Sequence, residues 1–241
     1  MSQDAHETST TIQAADNDLS EEDNLSAMQN DPLMIIVMFG VSVYLAKLWL
    51  DDFRSARAGK AKPGAFPGAV GCSRLAIGVA VAGALVLLAL ETGGEYALGV
   101  VSEQSDITAL ALLSLVSAAF FEELIFRGYL VVDKKGKAPL IASIVGFSLI
   151  FTVIHPFLWE LDYPEGVAGW QFWEANLTFN FTEKAWFSTI IVFLNSLWFY
   201  SVRFFALNPA HSLIPCMAAH LASNLGVFLI KLFQGHVVGL W

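Results

Sequence analysis

Charged side chains are scarce in this chain of 241 residues. Asp, Glu, Lys and Arg together make up only 15% of it, whereas soluble globular domains carry roughly 25%. Hydrophobic residues account for 56% of the chain, and the mean hydropathy is +0.59. This balance excludes an ordinary soluble domain and predicts an integral membrane protein.

Cysteine is nearly absent, and basic residues do not form large clusters. With two cysteines, Cys72 and Cys216, the sequence offers neither a disulfide framework nor a cysteine-based metal motif. Lys and Arg occur only in small groups between apolar runs, so we expect no nucleic-acid partner. Eight of the 22 acidic residues precede Pro32, in a stretch without Lys or Arg, so the net charge of -9 belongs mainly to that stretch.

Residues 1–32 are predicted to form a disordered acidic tail, because they contain too little apolar surface to offset the entropy lost on ordering. They also lack the basic region that begins a cleaved signal peptide. We therefore expect the apolar run that follows to remain as a membrane anchor. Residues 33–241 are predicted to form a transmembrane helical domain.

Six apolar runs are long enough to cross a bilayer as helices, which requires about 20 residues each. Their apolar character is continuous rather than alternating, which favours helices over strands. The predicted fold class is all-α, a polytopic membrane helical bundle with about six transmembrane helices. The runs are approximately 33–50, 75–98, 107–132, 138–158, 186–206 and 210–233.

The distribution of basic residues predicts the orientation of the bundle, since cytoplasmic loops are enriched in Lys and Arg. The second and fourth loops are acidic and are expected to face outward. The fourth loop, 159–185, is long and aromatic, which predicts that it lies along the outer interface; a substrate-binding surface is the alternative. The basic residues that mark the first and third loops as cytoplasmic are Arg54, Arg57, Lys60 and Lys62, and Lys134, Lys135 and Lys137.

The third apolar run contains the most informative residues, Glu122, Glu123 and Arg127. A charged side chain at a helix centre costs about 2.5–3.5 kcal/mol, so charges there are functional candidates. Glu123 and Arg127 are i,i+4 neighbours and can pair, whereas Glu122 points about 100° away around the helix. Glu122 is therefore expected to be free. The alternative is that all three residues lie at a helix end and reach solvent by extending their side chains.

Two histidines and an asparagine also lie within the apolar runs. A lone intramembrane histidine is equally explained by a hydrogen bond between helices. Counted at about 1.5 Å per residue from the predicted cytoplasmic loops, Glu122 lies about 16 Å deep, His155 about 25 Å, His220 about 15–18 Å and Asn224 about 20–24 Å. The four residues are therefore predicted to share one polar pocket. Three other polar residues, near the fifth loop, are predicted to reach interfacial water: Arg203, Asn208 and His211.

This constellation suits amide hydrolysis inside a membrane. A glutamate with a nearby imidazole can take a proton from water, and a second imidazole with an amide on the same helix face can donate to an oxyanion. No serine stands in a nucleophile-elbow context, and neither cysteine is linked by sequence to a histidine.

The motifs resemble those of the CAAX protease and bacteriocin-processing family, which comprises membrane-embedded glutamic-type proteases related to the Ras-converting CAAX endopeptidase. The resemblance covers roughly residues 110–233, with the motifs in order on successive motif-bearing runs. The aromatic fourth loop does not align. The motifs are Glu-Glu-x-x-x-Arg at Glu122, Glu123 and Arg127, Phe-x-x-x-His at Phe151 and His155, and His-x-x-x-Asn at His220 and Asn224.

The resemblance implies an endopeptidase that needs no cofactor and no metal. It also implies a membrane-anchored protein or peptide as substrate, the lipid bilayer as surroundings, and a bacterial or archaeal plasma membrane as location. By residue, Glu122 with His155 would activate water, and His220 with Asn224 would stabilise the oxyanion. The supporting residues would be Glu123, Arg127 and Phe151.

Three alternatives remain open. A divalent metal bound by Glu122, His155 and His220 would form a catalytic zinc set, since the ligands can come from separate helices. A transporter or channel could use the same residues to relay protons, although no internal repeat supports it. A non-catalytic binding or immunity protein is the third alternative.

Overall fold

A computed structural model of the chain describes residues 32–60, 62–164, 166–167 and 171–240. The predicted acidic tail therefore lies outside the described residues, except for Pro32, which begins the first helix. Within the described residues the fold consists of six helices and one small antiparallel sheet. The helices are α1 (Pro32–Arg57), α2 (Arg74–Leu98), α3 (Ala111–Glu122), α4 (Lys137–Ile154), α5 (Glu183–Phe204) and α6 (Ile214–Gln234), and the strands are β1 (Trp159–Asp162) and β2 (Asn176–Phe179).

Five helices, α1, α2, α4, α5 and α6, are long and apolar enough to cross a membrane. The remaining helix, α3, continues directly into a π-helix at Glu123–Leu130, which we call the π segment. The outer surface of the bundle is apolar; Leu33 and Phe233, for example, are 70% and 87% exposed. Such a surface requires lipid around it. The predicted fold class, an all-α polytopic membrane bundle, is confirmed.

Local sequence signals fix several helix ends. Ser73 and Thr182 precede α2 and α5, and their hydroxyl groups accept hydrogen bonds from the backbone N–H groups of the first helical turn. Gly99 and Gly235 end α2 and α6 in the left-handed conformation, with φ of 75° and 87°. Glycine adopts this conformation without a Cβ clash, so it terminates the helix cleanly.

Small residues allow α2 to lie close to its neighbours. Ala80 and Ala84 are fully buried one turn apart, and a Cβ added at Gly83 would lie 2.0 Å from the Trp198 ring of α5. Trp198 Nε1 donates a hydrogen bond of 2.9 Å to the Ala80 carbonyl. In lipid, where apolar surfaces gain little by leaving the solvent, such close packing and interhelical hydrogen bonding hold helices together.

The loops form two opposite ends of the bundle. At the end that carries the basic loops, which we call the basic end, residues 58–60, 62–73, 131–136 and 205–213 lie together. Ser212 Oγ donates to the Val70 carbonyl at 2.6 Å. At the acidic end, residues 99–110 and 235–240 lie together, and Ile107 forms a parallel bridge with Val237. The described parts of the fourth loop, 155–164, 166–167 and 171–182, lie at the same end, since they join α4 to α5. Helices alternate in direction between these ends, as the six predicted spans require.

Four predicted boundaries and two predicted exposures were wrong. The first helix ends at Arg57 rather than 50. The third run starts at Ala111 rather than 107, because residues 107–110 bond to the segment after α6. The fourth helix ends at Ile154 rather than 158, because Pro156 disfavours helical backbone at His155. The sixth helix starts at Ile214 rather than 210. Arg203 and Asn208 are buried rather than water-exposed, since the Asn208 amide bonds to backbone groups around the fifth loop; His211 is exposed.

The fourth loop contains more structure than the predicted interfacial loop. β1 and β2 pair antiparallel, with Trp159 opposite Phe179 and Glu160 opposite Thr178. Because side chains alternate along a strand, Trp159 and Phe179 share one face of this hairpin, and the hydrogen-bonded pair Glu160 and Thr178 shares the other. The hairpin therefore has an apolar face and a polar face.

The orientation in the membrane is a prediction that labelling can test. In a Cys72→Ser background, Ala58→Cys and Lys135→Cys place thiols at the basic end, and Ser102→Cys places one at the acidic end. We expect an impermeant thiol reagent added to intact cells to label only Ser102→Cys, since basic loops stay in the cytoplasm. Labelling of the two basic-end positions instead would show that the bundle has the opposite orientation in the membrane.

Candidate active site

The two glutamates lie where α3 changes from an α-helix to a π-helix. Glu122 is the last residue of α3 and Glu123 the first residue of the π segment. Glu122 is about 17 Å along the helix from Ala111, close to the middle of a hydrocarbon layer about 30 Å thick. π-helices are rare and occur often at functional sites.

Glu123 and Arg127 form the ion pair that their spacing predicts. Arg127 Nη1 lies 3.2 Å from Glu123 Oε1, and both side chains are completely buried. A lone buried charge would cost several kcal/mol, so each residue requires the other. The alternative in which these charges reach solvent at a helix end is wrong for this pair.

A polar and aromatic environment surrounds the Arg127 guanidinium. Its Nη2 donates hydrogen bonds to the Ser196 hydroxyl at 2.7 Å and to the Ser196 carbonyl at 3.3 Å. The Ser196 hydroxyl in turn donates to Ser148 Oγ at 3.0 Å, which links α5 to α4. Four aromatic rings lie 4.5 to 5.9 Å from the guanidinium carbon, within reach of cation–π attraction: Phe126, Phe151, Phe199 and Tyr200.

His220 connects this buried pair to Glu122. Its Nδ1 lies 2.9 Å from Glu123 Oε1, and its Nε2 lies 3.8 Å from Glu122 Oε2. Because an ionised carboxylate only accepts hydrogen bonds, Nδ1 donates to Glu123, which leaves Nε2 directed at Glu122. The Phe199 ring stacks on the imidazole with 4.8 Å between ring centroids. The imidazole orientation is thus fixed on both sides.

Glu122 is the more accessible glutamate. Its side chain is 28% exposed, whereas that of Glu123 is fully buried. Glu122 Oε2 has no hydrogen-bond partner among the described residues. Among the same residues Glu123 Oε2 is likewise without a partner, and both of these oxygen atoms are buried. The two adjacent carboxylates therefore differ in exposure and in contacts: Glu123 Oε1 is bound by Arg127 and His220 inside the bundle, whereas the Glu122 side chain is partly exposed.

His155 and Asn224 lie near this group but bond to backbone carbonyls. His155 Nδ1 donates to the Phe151 carbonyl at 2.7 Å, and Asn224 Nδ2 donates to the Leu115 carbonyl at 2.9 Å. The Phe151 ring packs against both imidazoles, with its centroid 4.6 Å from that of His155 and 6.5 Å from that of His220. Among the bonds of the described residues, none joins His155 or Asn224 to Glu122.

Of the seven residues expected at the site, the structure thus joins Glu122, Glu123, Arg127 and His220 through direct polar contacts, and it packs Phe151 against the two imidazoles. No three His, Cys, Asp or Glu side chains of the described residues are grouped as metal ligands. The ligand set proposed for a metal, Glu122 with His155 and His220, is accordingly not assembled in this arrangement.

Sequence reasoning missed the residues that hold Arg127 in place. Ser148 and Ser196 are fully buried, and both lie in apolar runs where serine is common and attracts no notice. One signal was available, because Ser196, Tyr200 and Arg203 follow an i, i+4, i+7 spacing that places all three on one face of α5. All three are buried. Such a polar stripe in an apolar helix indicates contact with polar groups of a neighbour.

Comparison with known proteins identifies a family whose model matches the part of the chain that carries this site. The family model described as type II CAAX prenyl endopeptidase Rce1-like matches residues 104–226, about half of the chain. That range includes both glutamates, Arg127, His155, His220 and Asn224. No curated protein and no solved structure matched the chain.

Proposed function

Because the chain belongs to the type II CAAX prenyl endopeptidase Rce1-like family, we propose that Glu122 activates a water molecule to hydrolyse a peptide bond of a membrane-anchored protein or peptide. The family is one of membrane proteases, and the chain is an integral membrane protein. The observation that carries the proposal is the partly exposed side chain of Glu122, whose Oε2 lies 3.8 Å from an imidazole that Glu123 holds in place. The proposed location is the plasma membrane of a bacterium or archaeon.

The proposed first step is attack by water on the carbonyl carbon of the scissile bond. As the C–O bond forms, Glu122 takes one proton from the water, and the carbonyl π electrons become the oxyanion. Glu122 then returns this proton to the departing amide nitrogen as the C–N bond breaks. At the same time the oxyanion electrons re-form the carbonyl, so the products are a carboxylic acid, which keeps the second proton of the water, and an amine. The glutamate ends as it began, and no covalent enzyme intermediate forms.

The proposed roles of the other residues follow from which hydrogens they have left to donate. Asn224 has two N–H hydrogens on its side chain and uses one for the Leu115 carbonyl, so one remains for an oxyanion. His220 has Nδ1 engaged by Glu123, so its Nε2 would donate when the ring is doubly protonated. His155 has Nδ1 engaged by a carbonyl, which leaves its Nε2 to orient the water with Glu122.

The decisive test is cleavage by the purified chain in liposomes. One reporter is a farnesylated peptide with a CAAX C-terminus, and a second is an unlipidated peptide with a single membrane-spanning helix. Mass spectrometry of the released fragments identifies the cleaved bond. Cleavage of either reporter at one bond supports the proposal, whereas intact reporters after incubation with folded protein would reject it.

Metal removal is expected to leave cleavage unchanged, because a carboxylate base and imidazole and amide donors already provide the required groups. The measurement is the rate of reporter cleavage before and after treatment with a strong chelator, with elemental analysis for bound zinc. The Glu122→Gln variant, treated in parallel, gives the background rate. Activity that is lost on chelation and restored by zinc would instead favour a metalloprotease.

A further inference from the structure

An apolar cavity of about 210 Å³ lies beside His155, at the acidic end of the bundle. The end of α4 and the start of the fourth loop form one wall, the hairpin forms another, and α5 closes the third. Six of its lining residues are Val153, His155, Leu158, Trp159, Phe179 and Phe181. Its position matters because His155 also belongs to the catalytic group proposed above.

The hairpin holds the cavity walls in place. Trp159 and Phe179 face each other across the two strands and therefore lie on the same face, toward the cavity. Trp159 Nε1 donates a hydrogen bond of 2.6 Å to the Val153 carbonyl, which ties β1 to the end of α4. The Phe181 ring stacks on Phe179 with 5.9 Å between centroids. The aromatic wall is thus fixed relative to His155.

The cavity offers almost no free polar hydrogen. Thr152 and Thr189 both line it, but their hydroxyls donate to carbonyls of their own helices, at 2.8 and 2.7 Å. His155 Nδ1 is engaged by the Phe151 carbonyl. A charged or strongly polar group would lose its hydration on entering without gaining partners, so the cavity favours an aliphatic or aromatic occupant.

We propose that this cavity binds one apolar amino-acid side chain of the substrate next to the scissile bond, an inference that rests on the proposed protease function. Size decides between a side chain and a lipid chain. An apolar cavity of about 150 Å³ binds benzene, which has six carbons. A fifteen-carbon isoprenoid would need roughly 375 Å³ on the same scale, so this cavity encloses a whole leucine or phenylalanine side chain but only part of a farnesyl group.

The test varies the residues flanking the cleaved bond, one position at a time, as Gly, Ala, Leu, Phe or Asp. At one of the two positions we expect kcat/KM for Leu to exceed that for Gly by about 10-fold or more, since discrimination by a single methylene already reaches that range. Asp at that position should be the poorest. If kcat/KM did not depend on the residue at either position while cleavage persisted, the inference would be overturned and the protease proposal would stand.

Variants of the cavity provide the second measurement. Thr189→Leu fills the cavity from α5, so the ratio of kcat/KM for Leu over Ala substrates should fall by about 10-fold or more while the Ala substrate is still cleaved. Thr178→Leu, on the polar face of the hairpin, is the matched control and should leave the ratio unchanged. Retained cleavage of the Ala substrate shows that the variant is folded.

Two other results would contradict the inference. If Thr189→Leu reduced cleavage of the farnesylated reporter but not of an unfarnesylated one, with an unchanged Leu over Ala ratio, the cavity would hold the isoprenoid. If the wild-type chain cleaved no reporter at all, the protease proposal would be rejected, and the inference about this cavity would be rejected with it.

Discussion

Glu122→Gln is expected to lower turnover by at least about 10²-fold, the low end for general-base catalysis, without destabilising the fold. Glutamine preserves the size of the side chain and its ability to hydrogen bond, but it cannot take the proton of the attacking water. Stability should hardly change, because Glu122 is partly exposed and its Oε2 has no hydrogen-bond partner among the described residues. The measurements are reporter cleavage in liposomes and thermal unfolding in detergent.

Glu122→Asp is the matched control for charge. It keeps a carboxylate but withdraws it by one methylene, so activity should fall below that of the wild type and remain above that of Glu122→Gln. A fully active Glu122→Gln variant would show that another group activates the water. If Glu123→Gln then abolished cleavage with normal stability, the roles of the two glutamates would be the reverse of those proposed.

Glu123→Gln should have the largest effect on stability. The Arg127 guanidinium would keep Ser196 and its aromatic neighbours but lose its countercharge in a fully buried position. Breaking a buried ion pair by removing one partner costs about 3–5 kcal/mol. We expect a marked drop in the melting temperature together with a loss of activity, since His220 Nδ1 also loses its charged acceptor.

A double substitution separates charge from shape. Glu123→Gln with Arg127→Met removes both charges and retains similar volumes, so part of the lost stability should return. Activity should not return, because His220 no longer has the carboxylate that orients it. Thermal unfolding and reporter cleavage of the single and double variants measure this. Equal melting temperatures for the wild type and Glu123→Gln would show that the pair contributes no stability.

The sequence predicted the helices better than their ends. Long apolar runs identify membrane helices because every backbone group in lipid must bond within its own helix. Ends depend on local chemistry instead. Pro156 is a sequence signal that the helix ends before His155, because helical backbone is disfavoured at the residue before a proline. The start of α6 at Ile214 depends on Asn208 and Ser212, whose bonds to each other occur only once the loop is folded.

At the candidate site, the spacing of residues along the helix predicted one ion pair, and their depths in the membrane predicted that the polar residues lie close together. Glu123 and Arg127 pair because residues four apart share a helix face, and this needs no tertiary information. The contact of His220 with Glu123 joins residues 97 positions apart. Their estimated depths in the membrane place the two residues near each other, but depth does not predict which atoms are in contact. The π segment changes the directions in which its side chains point, and no residue pattern in the sequence predicts a π-helix there.

The segments that flank the site helices meet at the acidic end. Ile107 N–H donates to the His236 carbonyl at 2.9 Å, and Val238 N–H donates to the Ile107 carbonyl at 2.8 Å. The stretch from 107 to 238 therefore begins and ends at nearly the same point, and it contains every proposed catalytic residue. These backbone hydrogen bonds close the stretch into a ring, so the segments that precede α3 and follow α6 are fixed to each other at the acidic end independently of the side chains of the site.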